Sequence, residues 1–140
     1  MWGGNLSKEL TKLGYDVTKN TDLFDRGFGT IGVDFLECTD VFDGNIITNP
    51  PFTLLNEFIL KGIELASNKL YIFGRIQTVE SVGRWNSIFK NYKPAYICPF
   101  VKRIKCYTRT HEIKSSAVCY AWFIWDNQRD DEDTYVKWLI

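Results

Sequence analysis

A chain of 140 residues with 45% hydrophobic and 24% charged residues has an ordinary globular balance, which excludes a disordered or fibrous role and allows one buried core. Its formal net charge of zero gives no overall pull toward nucleic acid, and with no apolar run of spanning length and no charged-then-apolar leader the expectation is a cytoplasmic protein with no membrane contact. Cys38, Cys98, Cys106 and Cys119 form no C-x-x-C pair and His111 is the only histidine, so no metal site is expected and the thiols read as reduced and mostly buried.

Leu6, Leu10 and Leu13 recur at helical spacing with Gly14 behind them, which predicts a short amphipathic helix with a glycine cap. Tyr15 to Val17 reads as a short strand, Asn20 to Gly32 as a polar, glycine-containing loop, and Ile31 to Leu36 as a short strand or turn. After the Asp43-Gly44 turn, Asn45 to Thr48 is a brief apolar strand that Pro50-Pro51 stops at once. Leu54, Leu55, Phe58, Ile59, Ile63 and Ala66 mark a helix, Lys69 to Phe73 a strand, and Thr78 to Lys90 a third helix with Val82, Trp85, Ile88 and Phe89 on its apolar face. Ala95 to Cys98 is a strand, Pro99 to Glu112 a basic loop, Ser115 to Trp125 a long strand, and Tyr135 to Ile140 an edge strand or packed tail. Alternating helices and short apolar strands predict one α/β domain over residues 1–140, a parallel sheet with helices on both faces.

The residues richest in chemistry are Asn49-Pro50-Pro51-Phe52, between an apolar strand and a helix. In an open α/β sheet the carboxyl ends of the strands form the ligand cleft, so this turn projects into it. Two prolines stiffen the turn and remove backbone donors, leaving carbonyls free to accept from a substrate N–H. The Asn49 side-chain oxygen and the Pro50 carbonyl suit the two hydrogens of a planar amine, and Phe52 suits stacking on its ring. The competing reading is a plain helix-initiating turn with Phe52 in the core.

Asn-Pro-Pro-Phe in this setting resembles the substrate-amine motif of class I S-adenosylmethionine-dependent methyltransferases, above all the N6-adenine DNA methyltransferases. Leu6-Ser7-Lys8-Glu9-Leu10, Gly14-Tyr15-Asp16-Val17, Asp22-Leu23-Phe24-Asp25-Arg26-Gly27, Val33-Asp34-Phe35-Leu36 and Ala121-Trp122-Phe123-Ile124-Trp125 are similar to a bacterial and phage group of these enzymes, in the same order along the chain. The resemblance implies a Rossmann-like sheet with an antiparallel strand near the C-terminus, and S-adenosylmethionine as cofactor. It implies Asp22 on the cofactor ribose, Asp34 on the amino group of its adenine and Phe35 on that ring's face, against local readings of Asp22 as a turn cap and Phe35 as core. Family members also carry a first strand and a glycine-rich turn, where this sequence has Trp2-Gly3-Gly4-Asn5. Gly3 and Gly4 are the candidates for that turn, and the implied sheet is N-terminally truncated, with a homo-oligomer or a partner completing the missing strand.

Two further patterns bear on function. Gly27-Phe28-Gly29-Thr30-Ile31-Gly32 matches G-x-G-x-x-G, but a dinucleotide fingerprint follows a strand and opens a helix, so the expectation is a loop near the cleft rather than a phosphate site. Lys90, Lys93, Lys102, Arg103, Lys105, Arg109 and Lys114 stand against Glu112 alone, interleaved with Tyr92, Tyr96, Phe100 and Tyr107; this suits a nucleic acid backbone, with Lys102, Arg103, Lys105 and Arg109 as the contacts, or a solvated surface loop. The first functional expectation is methyl transfer to adenine N6 in DNA, catalysed by Asn49, Pro50, Pro51 and Phe52. RNA and protein-glutamine amines are alternative acceptors, and a non-catalytic remnant that binds nucleic acid or a partner subunit is the alternative class.

Overall fold

The computed structural model describes residues 5–104 and 118–140, and the backbone of 106–107 and 113–114. The chain divides into two compact units, Met1–Thr39 and Asp40–Ile140.

The first unit opens with α1 (Asn5–Lys12). Gly14 ends it at φ +88, with its N–H donating to Thr11 O at 3.0 Å and the Tyr15 N–H to Leu10 O at 3.1 Å. These two bonds make a Schellman cap, which needs the left-handed conformation that glycine adopts without a Cβ penalty. The cap consumes the Tyr15 N–H, and the strand expected over Tyr15 to Val17 does not form; instead β1 (Thr21–Asp22) pairs in parallel with β2 (Thr30–Ile31). A three-residue 3-10 turn over Phe35–Glu37 follows.

In the second unit, β3 (Ile46–Thr48) leads through a 3-10 turn (Phe52–Leu54) into α2 (Leu55–Leu65) and β4 (Lys69–Arg75). The helix expected from Thr78 to Lys90 is broken into a 3-10 turn (Ile76–Val79), a single α-turn, α3 (Val82–Arg84), and a π-turn (Trp85–Phe89). Ser81 explains the break, because its Oγ accepts the Arg84 N–H at 3.1 Å and so starts a new helix, and Gly83 adds little helix propensity behind it. β5 (Tyr96–Pro99), the paired β6 (Cys106–Tyr107) and β7 (Ile113–Lys114), β8 (Tyr120–Asp126) and β9 (Tyr135–Val136) complete the chain. β6 lies inside the Pro99 to Glu112 stretch that reads from sequence as a basic loop, and β7 follows directly after it.

The sheet is mixed, in the order β3-β4-β8-β5-β9. β3 pairs with β4 in parallel, β5 with β9 in parallel, and β8 runs antiparallel to both β4 and β5. The expected antiparallel strand near the C-terminus is therefore β8. The protein is α/β, but its sheet is mixed rather than parallel, and α2 and the 82–89 turns share one core on one face instead of covering two. Connection geometry accounts for this: β3 to β4 and β4 to β5 advance the same way across the sheet, and right-handed crossovers in one direction place both helical segments on the same side.

That core joins Leu55 and Ile59 of α2, Ile88 and Phe89, and the inward residues Leu70, Ile72, Ala121, Phe123 and Trp125 of β4 and β8. The period-two alternation of burial along β4 and β8 produces it. Contact is close enough that a Cβ built on Gly62 would fall 2.5 Å from Leu70 Cδ1, so α2 lies directly on β4. On the other face the register places Tyr71, Phe73 and Arg75 beside Ile124, Trp122 and Tyr120, which gathers aromatic side chains there. Arg129 fastens the final segment to this face: its Nη1 donates to Ala95 O at 3.1 Å, and its guanidinium lies 5.2 Å from the Tyr96 ring and 4.9 Å from Tyr135.

The described cysteines are free and differ in exposure: Cys98 is buried, Cys38 half-buried and Cys119 exposed. The expectation of mostly buried thiols holds for Cys98 alone among these. Burial pushes the Cys98 thiol above its ordinary pKa, and Lys137 only partly opposes this. A thiolate-selective reagent at neutral pH is expected to label Cys119 before Cys98, with Cys98 reacting fully only on unfolding. Peptide mapping of the labelled sites checks this, and rapid labelling of Cys98 in the folded protein would contradict it.

Candidate active site

The Asn49-Pro50-Pro51-Phe52 turn sits at the carboxyl end of β3, where the sheet hands the chain to α2. Asn49 is exposed and Pro50 buried. Pro51 has φ −61 and ψ 133, and its carbonyl accepts the Leu54 N–H at 3.0 Å to close the 3-10 turn. The Pro51 carbonyl is thus already engaged, whereas no hydrogen bond to the Pro50 carbonyl occurs among the described residues. Arg84 braces the turn: its Nε donates to Asn56 Oδ1 at 2.8 Å and its Nη1 to Thr78 O at 2.6 Å, joining the first turn of α2 to the segment after β4.

Phe52 is not a core residue; it is 43% exposed. Its ring stacks on Tyr120 at 6.5 Å between centroids, and Tyr120 stacks in turn on Phe73 at 5.1 Å. Phe73 meets Trp122 edge-on at 5.3 Å and Phe100 at 6.3 Å. An aromatic row thus runs from the Asn-Pro-Pro-Phe turn across the ends of β4, β8 and β5. The Arg75 guanidinium lies 4.5 Å from the Phe52 centroid, a cation–π contact of about 0.5–1 kcal/mol at an exposed site.

Phe73, Arg75 and Tyr120 do not stand out in the sequence as site residues. The available signal is the strand end Phe73-Gly74-Arg75, since open α/β sheets bind ligands at the carboxyl ends of their parallel strands. Placing Tyr120 beside it also requires the Arg75↔Tyr120 pairing of β4 with β8. Lys102 and Arg103 are exposed just beyond β5, whose carboxyl end lies on the same side of the sheet as that of β3. Lys105, Arg109 and His111 lie outside the described residues, as do Gly3 and Gly4.

No family model matches this chain, and no curated protein is similar enough to count as a relative.

In the first unit, the expected cofactor residues are engaged in local structure. Asp22 Oδ1 accepts the Phe24 N–H at 3.0 Å and Oδ2 pairs with Arg26 Nε at 3.1 Å, so the turn-capping reading describes what Asp22 does. Asp34 Oδ1 accepts the Leu36 N–H at 2.9 Å and caps the 3-10 turn that Phe35 begins; Phe35 is half-buried. A carboxylate has about four acceptor positions, so both retain capacity to accept from a ribose hydroxyl or an adenine amine, and this acceptor chemistry fits an adenosyl group. A cavity of about 530 Å³ in this unit is lined instead by α1, Asn20 and Phe28.

The Gly27–Gly32 pattern leads into β2, not into a helix. Gly29 has φ +81, and a Cβ there would fall 2.9 Å from Asn20 O. That glycine lets the loop fold back so that the Thr30 N–H reaches Asn20 O at 2.8 Å. In the second unit, a cavity of about 470 Å³ lies at the opposite end of the sheet from the Asn-Pro-Pro-Phe turn, between Lys90–Lys93 and the 126–133 segment.

Proposed function

We propose that the protein is an S-adenosylmethionine-dependent methyltransferase acting on an exocyclic amine, with adenine N6 in DNA as the acceptor, on a Rossmann-like sheet. The observation that carries this reading is the Asn49-Pro50-Pro51-Phe52 turn at the carboxyl end of a parallel strand, with an exposed amide, one uncommitted proline carbonyl and an exposed ring in succession. The antiparallel β8 and the residues Asp22, Asp34 and Phe35 are consistent with it.

Asn49 Oδ1 and the Pro50 carbonyl accept the two amine hydrogens, which fixes the nitrogen and aims its lone pair. Phe52 stacks on the base, a contact of about 1–3 kcal/mol. No strong base is needed among these residues: orienting the nucleophile supplies the rate, and the methylated nitrogen, which would then carry the positive charge, would lose its proton to water. The bound cofactor supplies an electrophilic methyl sulfonium, and Asp22, Asp34 and Phe35 are the residues that would hold its adenosyl part. Lys102 and Arg103 suit contacts to the DNA backbone.

Thermal unfolding of the chain tests the cofactor half of this reading. At about one hundred times its dissociation constant, S-adenosylmethionine stabilises by ~2.7 kcal/mol, which raises Tm by about 10 °C for a domain of this size. An unchanged Tm at millimolar cofactor would exclude S-adenosylmethionine as the cofactor.

A further inference from the structure

Arg75 is the last residue of β4, exposed, with its guanidinium on the Phe52 ring. Arg26, Arg84 and Arg129 each serve a visible structural purpose, pairing with Asp22, bracing α2 or fastening the final segment. Arg75 has no carboxylate or carbonyl bonded to it among the described residues; the ring is its contact. A planar cation with no anion among the described residues, resting on an exposed ring at the carboxyl end of parallel strands, is well made to grip a phosphate beside a stacked base.

We propose that Arg75 binds the phosphate of the nucleotide whose base stacks on Phe52, and that it covers this ring until the base arrives. The proposal rests on the amine-orienting reading of the Asn49–Phe52 turn. Base and guanidinium compete for one ring face, and a base gains more from it than an exposed cation does. The displaced guanidinium, on its flexible stem, then finds in the phosphate a partner it matches bidentately. Exchange of the ring for a phosphate makes the ligand a nucleotide, in a single strand or extruded from a duplex, and not a free nucleoside or a protein amide. Phe100, Lys102 and Arg103 continue the surface beyond β5 in the sense a strand would follow.

Titration of the full chain into a short fluorescent single-stranded oligodeoxynucleotide, at several salt concentrations and without cofactor, tests this. Arg75→Ala is expected to weaken binding and to reduce the slope of log affinity against log salt by about 0.7, the share of one single-strand phosphate. Arg75→Lys keeps the charge and is expected to restore the slope. Lys69→Ala, at the other end of the same strand, is expected to leave it unchanged. A parental slope in Arg75→Ala overturns the proposal, as does failure of the parent chain to bind the oligonucleotide. No methyl group moves in this titration, so absence of methyl transfer would sink the reading of the turn while leaving the Arg75 result intact, and the converse outcome is equally distinguishable.

Discussion

Replacing Asn49 by alanine is expected to lower the rate of methyl transfer by about a hundred-fold or more while leaving the fold and cofactor binding as they were. The exposed position of Asn49 makes the substitution cheap, within about 0.5 kcal/mol of the parent stability. The loss arises in the reaction itself, because an amine held by one acceptor instead of two no longer points its lone pair at the methyl carbon, and misplacement by about 1 Å costs roughly a hundred-fold. Steady-state rates with and without the substitution, set beside the thermal shift on adding S-adenosylmethionine, separate the two effects. A variant with parental kcat would remove Asn49 from the chemistry; a variant that loses the thermal shift would make it a cofactor residue instead.

Replacing Phe123 by alanine is expected to have the largest effect on stability, about 3–5 kcal/mol. Phe123 has no exposed surface, and the register sets it beside Ile72 of β4 and Ile97 of β5, under the helical side of the core. A void there cannot be filled by helix movement, since α2 already presses on β4 through Gly62 and Leu70. Against a typical total of about 5–15 kcal/mol, the variant is left barely folded. The midpoint of urea unfolding measures this, and a change below about 1 kcal/mol would place Phe123 outside the structural centre.

Local signals and non-local ones fared differently. Gly14 marks the end of α1, Pro50-Pro51 the end of β3, and the spacing of Leu55, Ile59 and Ile63 the helix between β3 and β4, because each is decided by neighbours along the chain. The 82–89 segment misleads, since its apolar face is real but Ser81 restarts the helix and the apolar residues are carried on an α-turn followed by a π-turn. Tyr15 to Val17 has strand-forming residues but no strand to pair with, and the cap of α1 takes the first N–H. Which face the helices cover depends on strand order, and strand order depends on β8 inserting between β4 and β5, which no local pattern announces.

The same division runs through the site. Asn49, Pro50 and Phe52 are adjacent in sequence and read as a unit; Phe73, Arg75 and Tyr120 join them only through sheet register. Asp22 and Asp34 look alike to a motif, yet each first satisfies a backbone N–H of its own turn, as aspartates in loops commonly do. The cofactor role proposed for them draws on the acceptor positions that remain.

The most direct measurement is transfer of a labelled methyl group from S-adenosylmethionine to separate pools of DNA, RNA and protein, followed by identification of the labelled product. Label is expected in DNA as N6-methyladenine, lost in Asn49→Ala. Label confined to RNA or protein would contradict the adenine acceptor, and no label in any pool would contradict methyl transfer by this chain.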